Sequence, residues 1–396
     1  MAGEAISEQK VTAGRLSIRD ADGSMRVMQG AEDGPQAAIR IHDERLLRRL
    51  LVKPDLYLGE GYMDGTLEIV EGTLYDFLEF CGINMAPQHI DPKLSAVFRR
   101  EEQKNVVGKA KENVAHHYDL DGRLYEQFLD DDLQYSCAYF ATDDDSLEIA
   151  QANKKRHIAA KLRLEPGMKV LEIGSGWGGL ALYLAQIADV EVLSVTLSEE
   201  QHKVAQARAK AAGLADRVTF ELIDYREVEG TYDRVVSIAM LEAVGAGHLD
   251  EYFNKVAELL DDDGISLIHS IGRKEPPGLT HAWITKYIFP GGYSPSLSET
   301  LASVERSGMW TTDIEILRLH YANTLREWNK RFQEKREAVK AIYDERFCRM
   351  WEFYLQSCEV GFRRMGWMVF QLQLAKSIDA VPLTRDYIGA FETENR

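Results

Sequence analysis

The turn Gly174-Ser175-Gly176-Trp177-Gly178-Gly179 stands directly after the short apolar run KVLEI and opens a helix-forming stretch. Gly174, Gly176 and Gly178 carry no side chain, so the backbone there can turn tightly and approach a ligand closely. In an open α/β sheet ligands gather outside the carboxyl ends of the strands, which is where this turn falls. A G-x-G-x-G turn is shared with dinucleotide enzymes and is weak evidence alone. Its best match is S-adenosylmethionine, with Glu172 at the end of the strand suited to the amino-acid end of that molecule. Two more groups able to move or hold protons, Glu242 and His269, follow later apolar runs in the same way. On residue type alone Glu242 can equally cap the next helix, and His269 can be a structural hydrogen-bonder.

The elements that must position these groups alternate regularly. KVLEI, EVLSVTLS, VTFELIDY, YDRVVSIAM and GISLIHSI read as five buried strands. Between them lie helical stretches at Gly179–Ala188, EEQHKVAQARAKAAG and DEYFNKVAELL. Strands alternating with helices of this length predict an α/β fold with a doubly wound, Rossmann-like parallel sheet. Residues 1–88 mix short β-like runs with a helix from near Asp43, a glycine-rich, turn-like segment LYLGEGYMDGTLEI and a helix from Thr73 through Phe80. That predicts a small N-terminal α+β domain, a charged helical connector over 89–115, and a catalytic domain over 116–396. From Arg273 a proline- and glycine-rich loop leads to a long helix carrying Trp328 and Phe332 and to another rich in aromatics, MWEFYLQ.

A chain of 396 residues with 45% hydrophobic and 28% charged residues is long enough for two well-cored domains. No stretch reaches the roughly 18 apolar residues of a membrane-spanning helix. MAGEAISEQK lacks a basic stretch leading into an apolar run, so no secretory leader is expected. Cys81, Cys137, Cys348 and Cys358 are widely spaced. They fit free thiols in a reducing cytoplasm, with no disulfide framework and no metal site. The net charge of −17 excludes the basic footprint of a nucleic-acid binder. Two local basic clusters, Arg40, Arg45, Arg48, Arg49 and Lys53, and Arg99, Arg100, Lys104, Lys109 and Lys111, can meet lipid phosphates or simply face water.

Several segments together carry a more specific signal. VLEIGSGWGGLA, VTLSEEQ and IDYREV, with HYDL at His117–Leu120, YSCAYF at Tyr135–Phe140, SLEIAQANKKRHIAAKL, KYIFPGGYSPSL and HYANTLREW, resemble the cyclopropane fatty acid synthases and their mycolic acid relatives. The resemblance runs from about residue 113 to 375. It implies a class I S-adenosylmethionine-dependent methyltransferase. The implied cofactor contacts are Tyr135 and Ser136 beside the methionine part, the turn with Gly174 and Gly176, Thr196, Leu197 and Gln201 along the ribose and adenine, and Asp224 and Tyr225 at the adenine. Tyr118 is implied to close over the sulfonium, whose charge suits an aromatic face. Each tyrosine can instead be ordinary packing.

An isolated double bond attacks only a strong electrophile such as a sulfonium methyl. The resulting carbocation must be shielded from water until a base removes a proton and the ring closes. The resemblance implies bicarbonate as that base, held by Cys137, Glu242, His269, Ile271 and Tyr321. Glu242 would accept the bicarbonate hydroxyl, His269 and Tyr321 would donate to its oxygens, and backbone groups near Cys137 and Ile271 would complete the ring. Cys137 alone reads as a small buried hydrophobe. Cys358 is a second thiol in the acyl-binding region, although alkene methylation has no covalent enzyme step for it. Two positions depart from the family pattern: Ala243 follows Glu242 where a histidine is common, and Ser175 stands where cysteine is frequent. Ala243 leaves the product open between a cyclopropane ring and a methyl- or methylene-branched chain.

The aromatic C-terminal segment either packs as core or lines an acyl tunnel, and core is the commoner role of such stripes. The N-terminal domain resembles the extra domain of the bacterial synthases, which implies capture of unsaturated phospholipids at a membrane surface, with dimerisation. The expected location is the cytoplasm, at the inner face of the membrane.

Overall fold

The computed structural model describes residues 11–84 and 122–396, and the expected connector, Tyr118 and the second basic cluster lie outside them. The described chain forms two compact units. One gathers the N-terminal segment with Thr280–Pro290 and Leu325–Trp367, and the other holds the remaining described residues.

In the first unit β1 (Ala13–Arg19), β2 (Met25–Gln29), β3 (Glu32–Ile41) and β4 (Leu67–Glu71) form a sheet of order β2-β1-β3-β4. The sheet is mixed, because β1 and β3 run parallel while the other pairs are antiparallel. The helix Leu74–Asn84 buries Leu74, Phe77, Leu78 and Phe80. It is tied to the 20-residue helix Glu345–Arg364 by Arg364 on Glu79 at 2.7 Å. The segment expected to be turn-like is a helix, Pro54–Met63. Its glycines are there for packing: a Cβ on Gly59 would lie 2.4 Å from Nε1 of Trp283, and one on Gly61 2.7 Å from Leu46. Close approach outweighs the roughly 1 kcal/mol by which glycine disfavours a helix.

The second unit is built on seven strands, β5 (Lys169–Ile173), β6 (Glu191–Val195), β7 (Val218–Glu221), β8 (Tyr232–Ile238), β9 (Leu260–Arg273), β10 (Trp310–Ile316) and β11 (Trp367–Ala375). Their order is β10-β11-β9-β8-β5-β6-β7. The five strands expected from the sequence are all present and run parallel. β10 and β11 pair antiparallel at one edge, and sequence reading did not anticipate them. The chain winds outward from β5 through β6 and β7, then returns to place β8 on the other side of β5. The carboxyl ends of β5 and β8 therefore flank the switch point where such sheets bind ligands. One core face buries Leu171, Ile173, Val235, Phe253, Ile268, Phe370 and Leu372, and the other Ile158, Val170, Leu184, Val192 and Leu267.

Candidate active site

Five neighbouring strands each deliver candidate groups at their carboxyl ends. After β5 the chain enters the glycine turn, with φ at Gly174 +97° and at Gly176 +49°, values that other residues rarely adopt. A Cβ on Gly176 would meet nothing within 4 Å, so the backbone borders open space at this residue. At Gly179 a Cβ would lie 2.4 Å from Gln134, so the turn packs closely there. Gly179 also completes a G-x-G-x-x-G spacing, so spacing alone does not separate a dinucleotide from S-adenosylmethionine. Glu172 is buried with Oε2 accepting from the Ser194 hydroxyl at 2.5 Å, and burial raises its carboxyl to about 8. After β6, Thr196 and Gln201 are buried beside each other, Oγ1 to Oε1 3.3 Å, and Leu197 is half-buried. After β7, the buried Asp224 is forked by the Arg226 guanidinium at 2.8 and 2.7 Å. Tyr225 packs edge-on against Tyr252, ring centroids 5.4 Å apart.

The loop Tyr135–Phe140 is clamped from two helices. From Leu147–Leu162, which is N-capped by Ser146, Gln151 Nε2 donates to the carbonyls of Gln134 and Ser136 at 3.2 and 3.0 Å. Lys154 Nζ donates to the Ser136 hydroxyl at 3.0 Å and to Gln134 Oε1. From His320–Glu334, Thr324 Oγ1 accepts the Ala138 N–H at 3.0 Å and His320 Nδ1 accepts that of Phe140 at 3.1 Å. Tyr135 lies edge-on to Tyr125 at 5.2 Å, and Tyr125 packs on Trp177 of the glycine turn at 4.8 Å. The clamp holds Cys137 fully inside, where burial drives its thiol well above the ordinary range and makes it a poor nucleophile. Tyr321, on the first turn of His320–Glu334, is also buried.

The remaining groups meet at the ends of β8 and β9. Ala239, the first residue past β8, has φ +54°, which costs an alanine about 1–2 kcal/mol. Its N–H donates to the His269 carbonyl at 2.8 Å and holds the turn in place. Glu242 follows in a short 3-10 turn. Its Oε1 accepts the Ile271 N–H at 2.5 Å, and its main-chain carbonyl accepts the Tyr293 N–H of the PGGY segment at 2.9 Å. Glu242 as a whole is half-buried, yet Oε2 is shut away from solvent with no hydrogen-bond partner among the described residues. Burial, only partly offset by the Ile271 N–H, raises this carboxyl to about 7. His269 is fully buried, and burial together with the charges of Lys154, Lys161 and His157 lowers it to about 3, so its ring is neutral. Ala243 is exposed, and Ser175 is buried with its hydroxyl donating to the Gly176 carbonyl at 3.0 Å.

Glu242, His269 and Ile271 thus form one group, and Cys137 and Tyr321 sit on segments joined through the Ala138–Thr324 hydrogen bond. Cys358 lies in the other unit on Glu345–Arg364, with its thiol raised to about 12 by burial. Lys154 was missed by sequence reading. It is buried, which lowers it to about 8, and its charge is felt at Cys137, Glu172 and His269. Its signal was the spacing of Lys154, His157 and Lys161, which share one helix face.

A family model described as mycolic acid cyclopropane synthetase matches residues 106–372. The chain belongs to this family. Residues 9–84 match a separate family model, described as a domain of unknown function. Over 351 residues the chain is 38% identical to a cyclopropane-fatty-acyl-phospholipid synthase of Escherichia coli, covering 87% of this chain and 89% of that one. Over 341 residues it is 35% identical to a probable fatty acid methyltransferase of Pseudomonas putida, covering 84% and 85%. The solved mycolic acid cyclopropane synthase CmaA1, complexed with SAH and CTAB, matches with a TM-score of 0.63 and 31% identity, covering 67% of this chain and 97% of that one. The chain is therefore an S-adenosylmethionine-dependent methyltransferase of the cyclopropane synthase type. Its own residues fit that cofactor: the open space beside Gly176 admits a ligand against the backbone, and the strand ends place polar groups along the same edge. Among the described residues no helix is long and apolar enough to cross a membrane.

Proposed function

We propose that this enzyme transfers the methyl carbon of S-adenosylmethionine to the cis double bond of unsaturated phospholipid acyl chains and closes a cyclopropane ring, with bicarbonate as the base. The enclosed, unpartnered Oε2 of Glu242 carries this reading, because a buried carboxyl oxygen without a partner is costly unless a ligand meets it. The Ile271 N–H fixes Oε1 and leaves Oε2 to accept a hydroxyl. His269, neutral and buried two residues earlier, donates a ring N–H without adding charge, and the Tyr321 hydroxyl supplies a second donor. Tyr135, Ser136, Glu172, Gly174, Gly176, Thr196, Leu197, Gln201, Asp224 and Tyr225 hold the methyl donor. When bound, S-adenosylmethionine supplies an electrophilic methyl, and bicarbonate supplies an oxygen base. The alkene π pair forms the new C–C bond while the S–C pair stays on sulfur. A proton of the new methyl would pass to an oxygen of the bicarbonate, and the C–H pair so freed would close the ring on the cationic carbon. The buried surroundings of Cys137 exclude water from that cation.

The lipid reaches the enzyme at the inner face of the membrane in the cytoplasm. Support comes from the helix Glu44–Val52, where exposed Arg45, Arg48 and Arg49 flank exposed Leu51 and Val52, a combination suited to an anionic bilayer surface. Edge strand β2 exposes Met25 and Val27 and suits pairing between two copies of the chain.

The test is turnover of unsaturated phospholipid vesicles by purified protein and S-adenosylmethionine, with and without bicarbonate. Product acyl chains are weighed by mass spectrometry before and after mild hydrogenation. A gain of one methylene that resists hydrogenation, in a bicarbonate-dependent reaction, is the expected result. A product that takes up hydrogen is a branched alkene and overturns ring closure, and indifference to bicarbonate overturns the proposed base.

A further inference from the structure

We propose that Gln371 is a positioning residue that decides which ring nitrogen of His269 carries the proton. The inference rests on the reading of His269 as a donor to the bound anion. Gln371 on β11 and His269 on β9 are each only 1% exposed. Gln371 Nε2 lies 3.2 Å from His269 Nδ1. An amide has one donor end and one acceptor end, so its direction must be fixed by a third group. That group is Lys161, whose ammonium only donates and whose Nζ lies 2.8 Å from Gln371 Oε1. Reversing the amide would set two donors against each other. The NH2 end therefore faces His269, Nδ1 accepts, and the single proton of the neutral ring sits on Nε2.

Lys161 is itself held by neighbours from two other elements. Its ammonium pairs with Glu315 of β10, which also takes His157 Nε2 at 2.7 Å. His157 Nδ1 meets Glu392 of the C-terminal helix at 2.7 Å. Although burial opposes it, hydrogen bonding from His157 and the charge of Lys161 hold the Glu315 carboxyl down at about 2. Tyr139 stacks on the His157 ring at 4.4 Å and on that of His320 at 4.7 Å. The same strand face carries Gln373, whose Nε2 donates to the Lys161 carbonyl at 2.6 Å. Lys161 is thus fixed at both its backbone and its ammonium, and the amide it orients has one orientation available.

The test is a two-bond proton–nitrogen correlation spectrum of the full-length protein labelled with 15N-histidine, with His269 assigned by its loss in His269→Gln. The expected ring is neutral and protonated on Nε2. Gln371→Glu replaces the donor by a carboxylate that accepts from the ring, so the His269 signal should move to the Nδ1–H or imidazolium form. Turnover should fall at least tenfold with a raised bicarbonate KM, while binding of S-adenosylhomocysteine stays within a factor of about three. Gln371→Met keeps the volume without either polar end and should give a mixture of tautomers, which guards against a variant that fails to fold. A wild-type ring protonated on Nδ1, or a tautomer unmoved by Gln371→Glu, overturns the inference. Unchanged turnover in His269→Gln instead overturns the reading beneath it.

Discussion

Glu242 Oε1 and the Ile271 N–H meet at 2.5 Å, so one side chain locks the turn after β8 to the end of β9. The same side chain keeps its second oxygen enclosed, with no partner among the described residues. Glu242→Gln preserves the shape and the bond to Ile271 but cannot accept at the second position if its NH2 occupies it. Turnover should fall by roughly 10²-fold or more, the scale of a positioned acid–base group. Binding of S-adenosylhomocysteine, followed by calorimetry, should change little. A variant with near wild-type turnover would remove Glu242 from the reaction.

Glu242, raised to about 7, must be ionised to accept a hydroxyl, so turnover should rise with pH through about 7. Turnover by Glu242→Gln should lose that step. Stability runs the other way. Glu172 and Glu242 are raised above their unfolded values, so the folded state binds more protons between about pH 4.5 and their folded pKa values of about 8 and about 7. The free energy of unfolding should therefore decline as pH rises across that window. Urea midpoints at pH 5.5 and 8.5 check this, and Glu172→Gln should flatten the slope.

Gly176 separates strain from binding. Its φ of +49° would cost an alanine about 1–2 kcal/mol, but a Cβ there meets no protein atom within 4 Å. Gly176→Ala should remain folded with a modest loss of stability. If the open space is where the cofactor lies, affinity for S-adenosylhomocysteine should fall at least tenfold by calorimetry. Unchanged affinity would place the cofactor elsewhere along the strand ends.

Gly59→Ala tests packing in the first unit. Helix propensity alone favours alanine by about 1 kcal/mol. Here the new Cβ would fall 2.4 Å from the fully buried Trp283 ring, whose N–H faces Met63 Sδ at 3.2 Å. The clash should outweigh propensity and destabilise the fold by about 1–3 kcal/mol, read from urea unfolding. A stabilised variant would show that Trp283 has room to move.

The parallel strands were legible because each is an apolar run closed by a glycine or a polar turn, and the ligand edge followed from their order. β11 was not, because WMVFQLQLA follows an aromatic helix and its partner β9 is about 100 residues away in the chain. Its alternation, with Phe370, Leu372 and Leu374 in the core and Gln371 and Gln373 on the other face, is a strand signature that only pairing makes decisive. Helix Pro54–Met63 was hidden by its glycines; the reason for Gly59 is Trp283, more than 220 residues later, and that for Gly61 is Leu46 on the preceding helix. Lys154 and Lys161 escaped notice because basic residues at helical spacing ordinarily face water, whereas here Gln134 and Ser136 accept from Lys154, and Gln371 and Glu315 from Lys161, in place of water.

The first unit is assembled from three separated stretches of chain, and this has a consequence during synthesis. Its four-stranded sheet and the helix Leu74–Asn84 leave the ribosome first, while the helix Glu345–Arg364 that covers them follows about 260 residues later. At about 5–20 residues per second, the apolar side of Leu74–Asn84 waits on the order of 13–50 s for its cover. During that interval the nascent chain presents an exposed greasy surface, a natural substrate for trigger-type holding chaperones. The same arrangement means that cutting the gene near residue 90 would not release a self-sufficient module but would strip the inner side of Glu345–Arg364 in what remains.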